Sequence, residues 1–110
     1  MVGFIAETAR EHRLDIGTFG HMGDGNLHPT FLTDERNAEE MERVHHALDA
    51  IVTKTLSLGG TITGEHGVGF GKLGLMAAEH GAAWQVMGAL KAALDPLNLM
   101  NPGKLVPGQA

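Results

Sequence analysis

Apolar residues recur every three or four positions between residues 38 and 58, which is the period of an α-helix with one buried face. Acidic residues gather at the start of this segment, where the helix dipole favours negative charge. Gly59 and Gly60 follow the segment and are expected to end the helix. The pattern therefore predicts a long amphipathic helix over residues 38–58. Its predicted buried stripe consists of Met41, Val44, Leu48, Ile51, Thr55 and Leu58.

Three other segments have a helical composition, at residues 2–13, 73–79 and 82–94. The first of them has no obvious capping residue at its start, and the last is expected to end before Pro96. The chain therefore contains four predicted helices. The last helix is expected to bury an apolar stripe made of Trp84, Met87, Leu90 and Leu94.

Two shorter segments, residues 14–19 and 27–32, alternate apolar with small or polar residues, as strands with one buried face do. We interpret them as an antiparallel pair, because the sequence Gly-Asp-Gly at residues 23–25 suits a chain reversal. The β-branched run at residues 61–63 predicts a third, short strand. Consecutive strands combined with helices predict an α+β fold, in which a small antiparallel sheet has helices packed on one face.

The composition narrows the classes of function. A length of 110 residues suits one domain, and a net charge of −5 with eight Lys and Arg argues against nucleic-acid binding. Without cysteine, the chain forms neither disulfides nor thiolate metal sites. No apolar run approaches the about 20 residues of a membrane-spanning helix, and the early charges are unlike a signal peptide. We therefore expect a cytoplasmic protein.

The segment GHMGDGNLH at residues 20–28 places His21 and His28 seven positions apart. In one continuous strand these imidazoles would lie on opposite faces and roughly 23 Å apart, so only a chain reversal brings them together. Two imidazoles and one carboxylate suit a zinc, manganese or iron ion, and Glu65 is the candidate carboxylate. The pattern also fits two hydrogen-bonded histidines near a turn and an unrelated surface glutamate.

His66 follows Glu65 directly, and Gly64 and Gly67 flank the pair. Side chains of adjacent residues point apart in extended backbone, but the flanking glycines allow both to approach one cavity. A histidine that lies beside a metal without binding it suits a general base, and the alternative is a packed loop histidine. The GVGFGK run that follows lacks the spacing of a phosphate-binding loop.

Three motifs occur in order along the chain: GHMGDGNLH, GGTITGEHGVG-x-x-K and DPLNLMNPGK. Together they resemble the C-terminal part of the FAD-linked oxidases, a family that includes glycolate oxidase, D-lactate dehydrogenase and D-2-hydroxyglutarate dehydrogenase. The resemblance covers residues 14–105. It implies an FAD-dependent enzyme that oxidises a 2-hydroxy acid to a 2-oxo acid and transfers hydride to FAD. We expect this chain alone to be inactive.

The resemblance also implies roles for individual residues. His21, His28 and Glu65 match the metal ligands of the family, for zinc, manganese or iron. His66 matches the catalytic histidine beside the substrate, which is also the proposed base.

Other residues are candidates for contacts with the substrate or the cofactor. Asn26, also a good turn residue, is a candidate substrate contact. Thr30 stands where some relatives have a substrate-contacting asparagine, so the identity of the 2-hydroxy acid stays open. Asn101 and Lys104 match the cofactor-binding tail that returns to the flavin domain.

The FAD-binding domain and the first part of the substrate domain are expected to lie outside these 110 residues. We expect residues 1–98 to form the C-terminal part of the substrate (cap) domain, as a ferredoxin-like half. Residues 99–110 are then the tail that returns to the FAD-binding domain. The expected partners are a 2-hydroxy acid, the FAD-binding domain and an electron-acceptor protein, which would place the protein at the periphery of the inner membrane.

The alternative hypothesis is a non-catalytic α+β module that binds a small ligand or forms a dimer. A sheet edge or an exposed apolar face would then pair with a second copy. The two hypotheses differ in whether His21, His28 and Glu65 act together.

Overall fold

The computed structural model describes residues 1–106, which divide after Gly60 into two compact units. The last four residues of the predicted tail, 107–110, lie outside the described residues. The elements are α1 (Val2–His12), β1 (Asp15–His21), β2 (Asn26–Leu32), α2 (Ala38–Ser57), α3 (Met76–His80) and α4 (Ala82–Leu94). The predicted α+β class is confirmed. None of the helices in the described part of the chain has the length and apolar character needed to cross a membrane.

The sheet of the first unit is a hairpin of β1 and β2, and it has two antiparallel strands within the described residues. A short 3-10 turn at Met22–Asp24 reverses the chain. Gly25 completes the reversal in the left-handed region, with φ of 72°, and its N–H donates to the Met22 carbonyl at 3.2 Å. The predicted reversal is therefore confirmed. Strand β1 runs further than predicted, so that His21 ends it.

One face of the hairpin carries the core. Ile16 and Phe31 are directly opposite each other in the register, and both pack against a buried cluster of Leu14, Val44 and Ala47. Because Val44 and Ala47 belong to α2, this helix covers the face, as the predicted architecture requires.

Helix α2 begins at the predicted residue because the Asn37 side chain caps it, accepting the Glu40 N–H at 3.1 Å. Its predicted buried stripe is only partly correct. Val44 and Ile51 are buried, but Leu48 and Leu58 are 38% and 58% exposed.

The buried face of α2 also includes Ala47, which is 0% exposed. A small side chain at this position lets Leu14 pack closely against the helix. Helix α1 packs on α2 and buries Ile5 and Thr8, which are 2% and 1% exposed.

In the second unit, the predicted strand at residues 61–63 is wrong, because these residues have no strand conformation. Their backbone groups bond to side chains instead of to a neighbouring strand. The Ile62 N–H donates to the Glu79 carboxylate at 3.1 Å, and the Thr63 N–H donates to the Thr61 hydroxyl at 3.4 Å. Such local side-chain acceptors compete with a sheet ladder.

The predicted bounds of α4 are correct, but its predicted buried stripe is wrong. Leu90 and Leu94 are 59% and 84% exposed, while Trp84 and Met87 are half-buried. The indole N–H of Trp84 donates to the Leu105 carbonyl at 3.0 Å. The predicted helix at 73–79 is a 3-10 turn at Leu73–Leu75 followed by α3.

Candidate functional site

The hairpin gathers four candidate residues on one face. The register pairs His21 with Asn26, Phe19 with His28, and Gly17 with Thr30. Since side chains alternate between faces along a strand, these residues lie opposite the face that carries the core. His21, Asn26, His28 and Thr30 therefore share the outer face of the hairpin.

The imidazoles of His21 and His28 are close neighbours on this face. They occupy diagonal positions of the register, and their ring centroids lie 6.0 Å apart with the planes at 81°. A zinc ion lies about 3.2 Å from the centroid of an imidazole that ligates it, so two ligating rings have centroids up to about 6.4 Å apart. The observed separation is within that reach. His21 is exposed and His28 is half-buried, so both are accessible.

Phe19 and Gly20 shape the surroundings of His28, and sequence reasoning did not identify either residue. The Phe19 ring meets the His28 ring edge-on, with centroids 5.4 Å apart. Gly20 has φ of 133°, and a Cβ there would lie 2.4 Å from the Asn26 carbonyl oxygen and 3.1 Å from Cδ2 of His28. The position therefore requires glycine. Only the strand register, which pairs Phe19 with His28, could have revealed these contacts.

The second unit brings Glu65 and His66 to the same side of a glycine-flanked turn. Nε2 of His66 lies 3.9 Å from Oε1 of Glu65, and their side chains are 67% and 47% exposed. Gly67 follows in the left-handed region, with φ of 76°. These adjacent side chains therefore lie near one another, while the expectation that Gly64 and Gly67 let both approach one cavity stays a prediction.

Glu79 supports the segment that leads into this turn. Burial raises the pKa of its carboxyl, but hydrogen bonds from the Thr61 side chain and the Ile62 N–H, with His80 nearby, outweigh that effect. The net pKa of Glu79 therefore lies below its usual range, and the group is an anion at neutral pH.

The candidate cofactor-binding residues Asn101 and Lys104 also lie together. Nζ of Lys104 is 3.4 Å from Oδ1 of Asn101 and 5.5 Å above the ring centroid of Phe70. Phe70 is 71% exposed, and sequence reasoning did not single it out. A cation over an aromatic face is a favourable contact.

Asp95 organises the backbone that precedes Asn101. Its carboxylate pairs with Lys91 and accepts the N–H groups of Leu99 and Met100, at 3.0 and 2.8 Å. Lys91 and these two N–H groups lower the pKa of Asp95 from 3.8 to about 2. Asp95 is 8% exposed, so a buried anion holds this end of the second unit.

Comparison with known proteins gives the family. Residues 1–105 match the family described as FAD linked oxidases, C-terminal domain. The chain belongs to this family. The resemblance inferred from the three sequence motifs is therefore confirmed.

This FAD-linked oxidase C-terminal domain has curated relatives in bacteria, plants and archaea. It is 53% identical, over 96% of its length, to glycolate oxidase subunit GlcD of Bacillus subtilis. It is 46% identical, over 79% of its length, to the mitochondrial D-lactate dehydrogenase [cytochrome] of Arabidopsis thaliana. It is 36% identical, over 91% of its length, to a D-lactate dehydrogenase of Archaeoglobus fulgidus. The chain spans 23%, 16% and 22% of these relatives, respectively.

Proposed function

We propose that the chain is the metal- and substrate-binding portion of an FAD-dependent enzyme that oxidises a 2-hydroxy acid, of glycolate or D-lactate type, to a 2-oxo acid. The names of its relatives support this class of reaction. The observation that carries the proposal is the pair of imidazoles, His21 and His28, with centroids 6.0 Å apart on one hairpin face.

The proposed ligands of a divalent metal are His21, His28 and Glu65. Two imidazoles with one carboxylate form a donor set that suits zinc, manganese or iron. Three protein ligands leave a coordination position open, as catalytic rather than structural metal sites do. The exposure of the His21 and Glu65 side chains supports access of an ion to these donors.

The remaining candidate residues bind substrate, move a proton or contact the cofactor. When bound, the cation would make the substrate hydroxyl more acidic, and FAD would accept the hydride. His66 would accept the hydroxyl proton, because imidazole exchanges protons near neutral pH. Asn26 and Thr30 would hydrogen-bond polar groups of the 2-hydroxy acid from the outer face of the hairpin.

Asn101 and Lys104 would contact the flavin-binding part of the complete protein, which this proposal requires as a partner. Their proximity to each other supports a shared contact. An electron-acceptor protein would reoxidise the flavin, in the cytoplasm or at the inner membrane.

Metal analysis of the purified chain tests the ligands. We expect His21→Ala and Glu65→Gln to abolish stoichiometric binding of Zn²⁺ or Mn²⁺, and His66→Ala to retain it. His46→Ala, which removes an exposed imidazole from α2, is the matched control and should also retain the metal. Full retention of metal in both ligand variants would remove His21 and Glu65 from the proposed site.

Rapid-mixing measurement of flavin reduction in the complete protein tests His66. A positioned general base contributes about 10²- to 10⁴-fold to rate, so His66→Ala should slow reduction by that factor while the metal content stays unchanged. Wild-type reduction by the variant would assign the proton transfer to another group.

The alternative, a dimerisation or ligand-binding module, is favoured by the apolar side chains of the second unit. Leu94, Leu97 and Leu99 are 84%, 76% and 75% exposed. Large apolar side chains that are exposed this close together along the chain are typical of surfaces that bind a partner. Sedimentation of the metal-free chain, together with the metal analysis described above, discriminates the two functions. A stable dimer that binds no stoichiometric metal would favour the module.

A further inference from the structure

Glu79 is a mostly buried carboxylate to which the proposed function assigns no role. It lies on α3, and its side chain is 11% exposed. Oε2 accepts the Ile62 N–H at 3.1 Å, and the Thr61 side chain is a second hydrogen-bond partner. Oε1 lies 3.8 Å from Nε2 of His80. A buried carboxylate needs such partners because an unpaired buried charge is costly.

The hydrogen-bond partners of Glu79 immediately precede the turn that carries Glu65 and His66. Thr61 and Ile62 hydrogen-bond to the Glu79 carboxylate directly. Thr63 is connected to it indirectly, because its N–H donates to the Thr61 hydroxyl. Among residues 1–106, no strand pairs with these three residues. Glu79 therefore replaces the sheet ladder that the β-branched sequence of this segment predicts.

We propose that Glu79 is a positioning residue for Glu65 and His66. Glu79 fixes the backbone of residues 61–63, and this fixes the start of the glycine-flanked turn. The positions of the Glu65 and His66 side chains follow from the start of that turn. The inference rests on the proposed function, in which Glu65 binds a metal and His66 accepts a proton. Glu79 acts on them through the backbone of residues 61–63.

The first test is Glu79→Gln in the 110-residue chain. Glutamine keeps the size and one acceptor oxygen, but it loses the charge and replaces the other oxygen with a donor. We expect the affinity for Mn²⁺, measured by calorimetry, to fall about tenfold, as loss of groups that orient metal ligands does. In the metal-free chain, NMR resonances of the Glu65 amide and the His66 ring should shift.

Asp95→Asn is the matched control, because it removes the charge of another buried carboxylate in the same unit. The partners of Asp95 lie within residues 91–100, so this variant should leave the Glu65 and His66 resonances and the Mn²⁺ affinity unchanged. Thr61→Val is a milder second variant that keeps Glu79 and removes the connecting hydroxyl. It should shift the same resonances, and it tests the inference if Glu79→Gln does not fold.

The outcomes separate this inference from the proposed function. Shifted resonances and weaker Mn²⁺ binding in the Glu79 and Thr61 variants, with the control unchanged, support the inference. Equal loss of affinity in Asp95→Asn, or unchanged resonances in both test variants, overturns it. If the wild-type chain binds Mn²⁺ no better than Glu65→Gln, the proposed metal site fails, and the resonance shifts alone decide whether Glu79 positions the turn.

Discussion

The two compact units are stabilised by different kinds of interaction. In the first unit, α1, α2 and the hairpin bury apolar side chains, among them Ile5, Leu14, Val44 and Ile51. In the described part of the second unit, the buried apolar residues are Met76 and Val106, and none of the side chains of α4 is buried.

The second unit relies instead on two carboxylates. Glu79 holds residues 61–63, and Asp95 holds the backbone after α4. Burial of apolar area does not depend on pH, whereas hydrogen bonds to an ionised carboxylate are lost when it is protonated. A small unit with little apolar core therefore keeps a defined loop geometry through carboxylates that are largely removed from solvent. Because the stability of such a unit depends on pH, experiments can distinguish the two units.

Stability should change most when the apolar core of the first unit is altered. Ile5→Ala should lower the free energy of unfolding by about 2–5 kcal/mol, because Ile5 is 2% exposed and its loss leaves a cavity. Urea unfolding followed by circular dichroism measures this. Leu94→Ala, on the apolar but exposed α4, is the control and should change stability by less than about 0.5 kcal/mol. An equal loss of unfolding free energy in both variants would refute the statement that the first unit depends on buried apolar side chains more than the second unit does.

A smaller effect is expected at Gly20 in the hairpin. Gly20→Ala should cost about 1–3 kcal/mol from backbone strain, plus the clash of its Cβ with the Asn26 carbonyl, and it should weaken metal binding. Gly17→Ala is the same substitution on the same strand, where a Cβ meets nothing within 4 Å. Chemical denaturation and metal titration of both variants check this. Normal metal affinity in Gly20→Ala would show that the spacing of His21 and His28 is not critical.

The carboxylates predict an acid transition confined to the second unit. The pKa of Asp95 falls from 3.8 to about 2 on folding, so its stabilisation is complete above pH about 4 and is lost as pH falls through about 2. Trp84, the only tryptophan, reports this transition by fluorescence. Asp95→Asn should lower the urea concentration at the midpoint of the tryptophan fluorescence transition at pH 7. In this variant the midpoint should also depend less on pH between 4 and 2.

Asp34→Asn is the control for this measurement. Like Asp95, Asp34 pairs with a cation, in this case Arg36, which lowers the pKa of Asp34. The Asp34 side chain is 52% exposed, however, and lies in the first unit. The tryptophan transition should therefore be the same as in the wild-type chain. An unchanged acid transition in Asp95→Asn would assign the pH dependence to other groups.

The smallest effect is expected at the helix cap. Asn37→Ala removes the acceptor of the Glu40 N–H at the start of α2 and should cost about 1 kcal/mol in the unfolding of the first unit. Asn37→Asp preserves a capping oxygen and should be close to wild type. Thermal unfolding by circular dichroism distinguishes them, and equal loss in both would show that the cap does not stabilise α2.

Local patterns in the sequence predicted most elements of the fold. The bounds of α4 and the start of α2 are correct, because periodicity and capping residues act within a few positions along the chain. The chain reversal at residues 23–25 is also local, and it predicted that His21 and His28 lie close together. Alternation along β2 also places Asn26, His28 and Thr30 on one face of that strand. The same information could not tell which residues of β1 lie beside them, since that depends on the register of the two strands.

Local patterns in the sequence are enough to predict three of the helices, the hairpin and membership of the FAD-linked oxidase family, because periodicity, turn residues and motifs need only neighbouring positions. Which apolar stripes are covered, and which backbone groups find partners, became clear only from the folded chain. Leu90 and Leu94 fit a helical stripe but stay exposed. Residues 61–63 have a strand-like sequence, but the Ile62 N–H donates to the carboxylate of Glu79, 17 positions along the chain. Burial and hydrogen bonding of this kind depend on what folds against a segment, which its local pattern does not specify.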